Sequence, residues 1–368
     1  MSKPRTGSRS EYMHWAKLCY GARYNLATSG LENLPLAELP FRAEDLELSA
    51  HGSYGYPPLL ERIASRYGVP SKCVVEATGT SMANHLAMAA LVEPGDEVLI
   101  ETPAYGLLLD LAEYLGARVE RFARRFEDAF AIDVETLRRK VSDKTKLIVL
   151  TNLHNPSGVE APDSVMLEVG QIAERVGAGV LVDEVYLEMD YARPGRTVFR
   201  EGGPLVVTSS LTKAFGLSGL RCGWVLADAA LAEKMWRIND LYGVNPATIA
   251  QQLSVVAFDH LDEIAARARR MLATNRALMQ EFLAKRPDVE AVWPTAGTVV
   301  FARLRNGQGE AFCHFLRKEY ETSVVPGRFF EMPEYFRVGL GGETEMTGKA
   351  LKQLERALNE FSAARKLK

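Results

Sequence analysis

Between about residues 71 and 226, short apolar, β-branched runs alternate with helical patterns, and this alternation limits the fold more than any other feature. The strand candidates cover 73–77, 97–101, 118–122, 146–151, 179–183, 205–209 and 223–226. Most are apolar throughout between turn residues, which suits strands covered on both faces. Amphipathic helices are predicted over 81–91, stopped by Pro94 and Gly95, and over 163–176, closing on Gly177. Repeated strand–helix units of this kind build a mostly parallel sheet between two layers of helices, a three-layer α/β fold.

The texture changes beyond Pro246. A long helical stretch over 248–284, rich in Ala, Leu, Arg and Glu, reads as one connecting helix. Strand patterns at 297–304 and 336–340, around a helix at 310–320 and before a final helix, predict a smaller α+β unit. The segment with Leu31, Leu34, Leu36 and Leu39 shows no parallel-sheet pattern and is expected to pack on that unit. The division expected is a large domain over 48–246 and a small one made of 1–47 and 247–368. A chain of 368 residues has room for about two domains.

A net charge of −3 supplies no global reason to bind nucleic acid or an anionic membrane, and neither partner is expected. No apolar run approaches the roughly 18 residues of a membrane helix. The basic start Met1, Ser2, Lys3, Pro4, Arg5 leads into no apolar signal segment, and Cys19, Cys73, Cys222 and Cys313 lack paired spacing. A cytoplasmic location is expected, and function must rest on a local site.

The most informative segment is 209–224, which follows a strand pattern directly and places Lys213 among small and apolar residues. A desolvated amine loses its proton more readily, as a Schiff-base lysine requires. Ser210, Lys213 and Arg221, the last eight positions after the lysine, resemble the pyridoxal-phosphate lysine motif of class I/II aminotransferases, the fold-type I enzymes. Three upstream segments agree in order. Asp183 closes an apolar strand with Tyr186 three residues on; Asn155 sits in Asn155-Pro156-Ser157-Gly158; and Gly79, Thr80 and Ser81 join a strand to a helix start. A helix N-terminus is a ready anion site.

What the resemblance implies is specific. Pyridoxal 5'-phosphate is held through its phosphate by Gly79, Thr80, Ser81, Ser210 and Arg221, with Asp183 on the ring nitrogen and Asn155 and Tyr186 on the phenolic oxygen. Tyr105 stacks on the ring, and Tyr54, with Tyr56 as the alternative, reaches the phosphate of a partner subunit in a homodimer. Arg337, one charge inside an apolar strand pattern, takes the substrate α-carboxylate, which Ser29 or Gly30 also approaches; Arg328 is its rival. Cis peptides are implied at Thr102–Pro103 and Asn155–Pro156.

The resulting activity is transfer of an amino group between an α-amino acid and a 2-oxo acid through a Lys213 Schiff base. A lyase or decarboxylase would share every cofactor residue. A non-enzymatic cofactor-sensing module is the remote alternative, although only 24 residues precede Asn25, too few for a winged helix. No metal site is expected. Tyr12, Trp15 and Tyr20 read as packing residues or as cover for a site entrance, His154 as a neighbour of the site, and Arg124 and Arg125 as a solvated loop.

Overall fold

The structure, a computed structural model, describes residues 9–19, 22–49, 52–305 and 307–366. The basic start and Tyr20 lie outside the described residues.

Seven strands form the main sheet: β1 (Val74–Thr78), β2 (Glu97–Thr102), β3 (Arg118–Ala123), β4 (Thr145–Thr151), β5 (Gly179–Asp183), β6 (Leu205–Ser210) and β7 (Cys222–Leu226). Their order is β1-β7-β6-β5-β4-β2-β3, and every neighbouring pair is parallel except those of β7, which runs antiparallel to both β1 and β6. Side chains alternate between two cores. Ile148, Leu150, Val180 and Val182 meet Met166, Val169 and Ile172 of the helix Asp163–Glu174 on one face. Leu147, Val149, Leu181 and Val206 meet Leu86 and Ala87 of the helix Gly79–Leu91 on the other. The central strands are therefore apolar on both faces through their middles, with polar residues such as Thr151, Asp183 and Ser210 at their carboxyl ends, whereas the edge strand β3 alternates exposed and covered residues. Each such aliphatic side chain removed from water contributes about 1.5–3 kcal/mol.

A second sheet of four antiparallel strands contains Val325–Pro326, Tyr335–Gly339, Val299–Leu304 and Val289–Ala291. It packs against the helices Gly309–Tyr320 and Thr344–Lys366. The N-terminal segment joins this unit: Tyr24 and Asn25 pair with Thr322 and Ser323, and Leu26 and Leu31 enter its core. Leu39 packs instead in the large-sheet core, and Leu36 is exposed, so the segment bridges both sheets.

The single connecting helix expected over 248–284 is two helices, Thr248–Asp259 and Leu261–Ala284, broken at His260 (φ −121°). His260 turns its ring to Glu263 (Nδ1 to Oε2, 2.9 Å), while the apolar spacing continues across the break. The helices carry out the transition between cores. Leu253, Ala257, Leu261 and Ile264 pack under the large sheet, and Ala268, Leu272 and Met279 under the small one. Among the described residues, no helix is long and apolar enough to cross a membrane.

Candidate active site

A cavity of about 270 Å³ opens at the carboxyl ends of β1, β4, β5 and β6. In open α/β sheets that edge carries the ligand site, because loops and helix N-termini converge there. Its lining includes Ser29, Thr80, Ser81, Tyr105, Asn155, Asp183, Tyr186, Lys213 and Arg221, so nine of the predicted residues share one space.

Lys213 follows β6 in the short helix Leu211–Ala214, whose first turn is capped by Ser210, its Oγ accepting from the Thr212 N–H (3.3 Å). Its Nζ donates to Ser29 Oγ (3.2 Å), and Ser29 also accepts from the Tyr186 hydroxyl (2.8 Å). Burial pushes the Lys213 amine down from its ordinary value, with the Arg337 charge adding to the shift. Gly30 lies against the lysine stem, where an added Cβ would stand 3.3 Å from Lys213 Cδ. Ser29 and Gly30 thus sit on the lysine, and it is the Ala27 carbonyl that reaches Arg337.

Asp183, at the end of β5, is buried, and loss of hydration raises its carboxyl to about 6. Asn84 donates to its Oδ2 (2.8 Å), and the Val185 N–H to its Oδ1 (3.1 Å). Asn84 in turn accepts from Thr208 (2.6 Å). Sequence reasoning missed Asn84; the available signal was one amide on the otherwise apolar inner face of the helix Gly79–Leu91.

The helix starting at Gly79 receives no side-chain cap from Thr78, leaving first-turn N–H groups without that partner. Arg221, in the left-handed conformation (φ 52°), faces this helix start, and its hydrogen bonds among the described residues go to the carbonyls of Thr78 and Ser218 at 3.4 Å. It forms no ion pair with a carboxylate among the described residues. Gly79 has φ +75°, and a Cβ there would lie 2.4 Å from Arg221 Nη2. Gly223 of β7 allows the approach from beneath, since its own Cβ would lie 2.4 Å from the Gly79 carbonyl carbon. Thr80 Oγ1 donates to Ser210 Oγ (2.8 Å) and closes the cradle. An uncapped helix start, an unpaired guanidinium and a missing Cβ fit a phosphate.

Arg337 lies in Tyr335–Gly339 with no exposed surface. Its Nη1 donates to Asn155 Oδ1 (2.8 Å), its Nη2 to the Tyr12 hydroxyl (3.0 Å), and its Nε has no partner among the described residues. Arg328 is half exposed and pairs with Glu310 (3.0 Å), away from the cavity. Behind Asn155 a buried chain runs outward: the Asn155 N–H donates to Thr151 Oγ1 (2.9 Å), and Thr151 donates through Oγ1 and N–H to Glu101 Oε1 (2.7 Å each). Glu101 Oε2 accepts from Arg124 Nη1 (2.9 Å). Arg124 is therefore not in a solvated loop: it is fully buried, paired with the equally buried carboxylate of Glu101 on the neighbouring strand β2.

His154 is buried beside this chain, bonded to Ser157 (2.6 Å) and the Pro103 carbonyl (2.9 Å). Thr102–Pro103 is cis; the second cis bond is Asn152–Leu153 and not Asn155–Pro156. Tyr54 is not brought to the cavity: it is half exposed and donates to Asp240 (3.0 Å). Tyr12, Met13, Trp15 and Ala16 of the helix Glu11–Cys19 line the cavity, and Tyr12 and Trp15 also pack against the aromatic cluster of Phe330 and Tyr335.

The sequence family described as aminotransferase class I and II matches residues 38–354. Capreomycidine synthase of Streptomyces vinaceus is 28% identical over 335 residues, covering 87% of this chain and 86% of that protein. Aspartate aminotransferase of Sulfolobus acidocaldarius is 26% identical over 334 residues, covering 84% and 82%. A PLP-dependent aminotransferase from Streptococcus suis superposes with a TM-score of 0.87 at 28% identity, covering 98% of this chain and 99% of that one. The PLP-dependent cyclase OrfR superposes with a TM-score of 0.85 at 24% identity, covering 98% of both chains, a likeness of fold. With the fold of the type I pyridoxal-phosphate transferases and a family match over most of its length, the chain belongs to the aminotransferase class I and II family, whose cofactor is pyridoxal 5'-phosphate.

Proposed function

We propose that this enzyme moves an amino group between an α-amino acid and a 2-oxo acid, with Lys213 as the residue that handles the proton. The observation that carries the reading is the Lys213 amine, desolvated inside a cavity shared with Asp183 and adjoining Arg337. When bound, pyridoxal phosphate supplies an aldehyde for an amine and a ring that accepts the negative charge left by removal of the substrate α-proton. Gly79, Thr80, Ser81, Ser210 and Arg221 hold its phosphate. Asp183, oriented by Asn84, keeps a proton on the ring nitrogen, and its burial is then compensated by an adjacent cation. Asn155 and Tyr186 bind the phenolic oxygen, and Tyr105 covers the ring. The Arg337 fork binds the α-carboxylate and so fixes which substrate bond faces Lys213. Lys213 Nζ takes the α-proton and returns it on the other side of the exchange.

A homodimer accompanies this reading. Tyr54, Leu241, Tyr242 and Val244 are exposed together with Leu48, a set of apolar side chains that a second copy would cover, and Tyr54 would then serve the neighbouring site. The free thiols Cys73, Cys222 and Cys313 support a cytoplasmic location.

Lys213→Ala tests the assignment: full turnover without an added amine refutes it. Incubation with an amino acid and no acceptor separates the chemistries, because an aminotransferase stops after one equivalent of 2-oxo acid. A lyase, a decarboxylase or a cyclase turns over repeatedly.

A further inference from the structure

Arg337 is a guanidinium removed from water whose hydrogen-bond acceptors among the described residues are neutral oxygens, those of Asn155, Tyr12 and Ala27, with the Phe330 ring 5.1 Å from its Cζ. A buried cation without a counter-charge is costly, and an anion that meets it offsets that cost. One of these oxygens, the hydroxyl that accepts from Nη2 at 3.0 Å, belongs to Tyr12 on the helix Glu11–Cys19.

Tyr12 accepts one N–H from Arg337, and its own O–H has no acceptor among the described residues. The ring is held firmly. It meets Tyr105 edge-on at 5.4 Å and 85°, and Phe329 at 5.6 Å and 74°. Trp15, three residues along the same helix face, packs on Phe329 at 5.3 Å. The hydroxyl is thus a fixed donor without an acceptor, 3.0 Å from the group that binds anions.

We propose that Tyr12 is a direct contact for the substrate carboxylate: an anion seated on Arg337 also receives the Tyr12 O–H, so that the N-terminal helix, not the strand alone, recognises this end of the substrate. The proposal rests on the reading above only in giving Arg337 a carboxylate to bind. It has a mechanical consequence, since binding ties the helix that lines the cavity to the core of the small sheet. A hydrogen bond to a charged group is stronger than one between neutral groups, so the effect is measurable by removal of a single oxygen.

The test uses the holoenzyme and two probes, 3-phenylpropanoate and its neutral amide, with the aromatic ring chosen for the collar of Tyr12, Tyr105, Trp15 and Phe329. Calorimetric affinities are compared between wild type and Tyr12→Phe. The expected result is a loss of roughly tenfold or more for the carboxylate and less than twofold for the amide. Equal losses for both probes overturn the proposal, as does failure of the carboxylate to bind the wild type. Tighter carboxylate binding in the variant also overturns it, because Tyr12 would then be only a placeholder that the anion displaces. The probes carry no amine, so their binding is independent of amino transfer. A holoenzyme that converts no amino acid but shows the expected pattern refutes the proposed reaction alone, and normal turnover with an indifferent Tyr12→Phe refutes this proposal alone.

Discussion

Replacing Arg124 by methionine removes one half of an ion pair with no solvent access. The pair separation of 2.9 Å corresponds to about 6 kcal/mol of gross attraction at an effective dielectric of 20. Each ion also loses several kcal/mol of hydration on burial, so the pair as a whole contributes little net stability, whereas loss of one partner costs about 3–5 kcal/mol. The cost falls on Glu101. Burial already raises its carboxyl and the Arg124 charge opposes that rise, so without Arg124 it takes up a proton. Arg124→Met is expected to lower the unfolding free energy in urea by about 3–5 kcal/mol, and Glu101→Gln, which strands the arginine, by a similar amount. The double variant should be more stable than either single one, because a neutral pair leaves no buried charge. A loss below about 0.5 kcal/mol for Arg124→Met, the value for an ordinary surface change, refutes the reasoning, as do additive losses. Glu101→Gln should also raise KM for the amino acid and shift the cofactor's absorption, because its carboxylate stands behind Thr151 and, through it, behind Asn155, which is placed on the phenolic oxygen and on Arg337.

Gly79→Ala combines a left-handed backbone with a Cβ 2.4 Å from Arg221, so the strain of about 1–2 kcal/mol joins displacement of the guanidinium. Cofactor affinity measured by titration should fall about tenfold or more, and unchanged affinity would show that the cradle is elsewhere. Glu184 is buried and its carboxyl is raised to about 8, above its unfolded value near 4.5, so the folded protein binds the extra proton and stability is lost as pH rises through that interval. Glu184→Gln should remove up to about 5 kcal/mol of this loss; equal slopes of urea midpoint against pH in variant and wild type contradict the assignment. Leu241→Asp, on the exposed apolar set, is expected to shift sedimentation toward the monomer, and an unaltered oligomeric state refutes the interface.

The strands and the local motifs were legible because their signals are short-range. An apolar run between turn residues marks a doubly covered strand wherever it occurs, and β5 begins and ends at the predicted residues, with β2 and β6 differing by one. Chain order alone placed Lys213, Asp183 and Asn155 after successive strands, and successive parallel strands necessarily point their carboxyl ends the same way. The continuous helical spacing over 248–284 carried no mark of the break at His260, since the apolar period does not change there.

The reversed direction of β7, the amide behind Asp183, the burial of Arg124 and the Tyr12 hydroxyl on Arg337 were decided by tertiary structure. Tyr12 and Arg337 are 325 positions apart, and Asn84 and Asp183 are 99 apart. Periodicity reports whether a residue faces a core, but not which distant polar group waits in that core, and a buried charge or amide acquires its meaning only from that partner. The sequence by itself therefore determined the layers, the strands and the order of the motifs. Which polar side chains meet inside the site was decided when the two sheets and the N-terminal helix packed together, because desolvation forces each buried donor to find whatever acceptor the fold brings within reach.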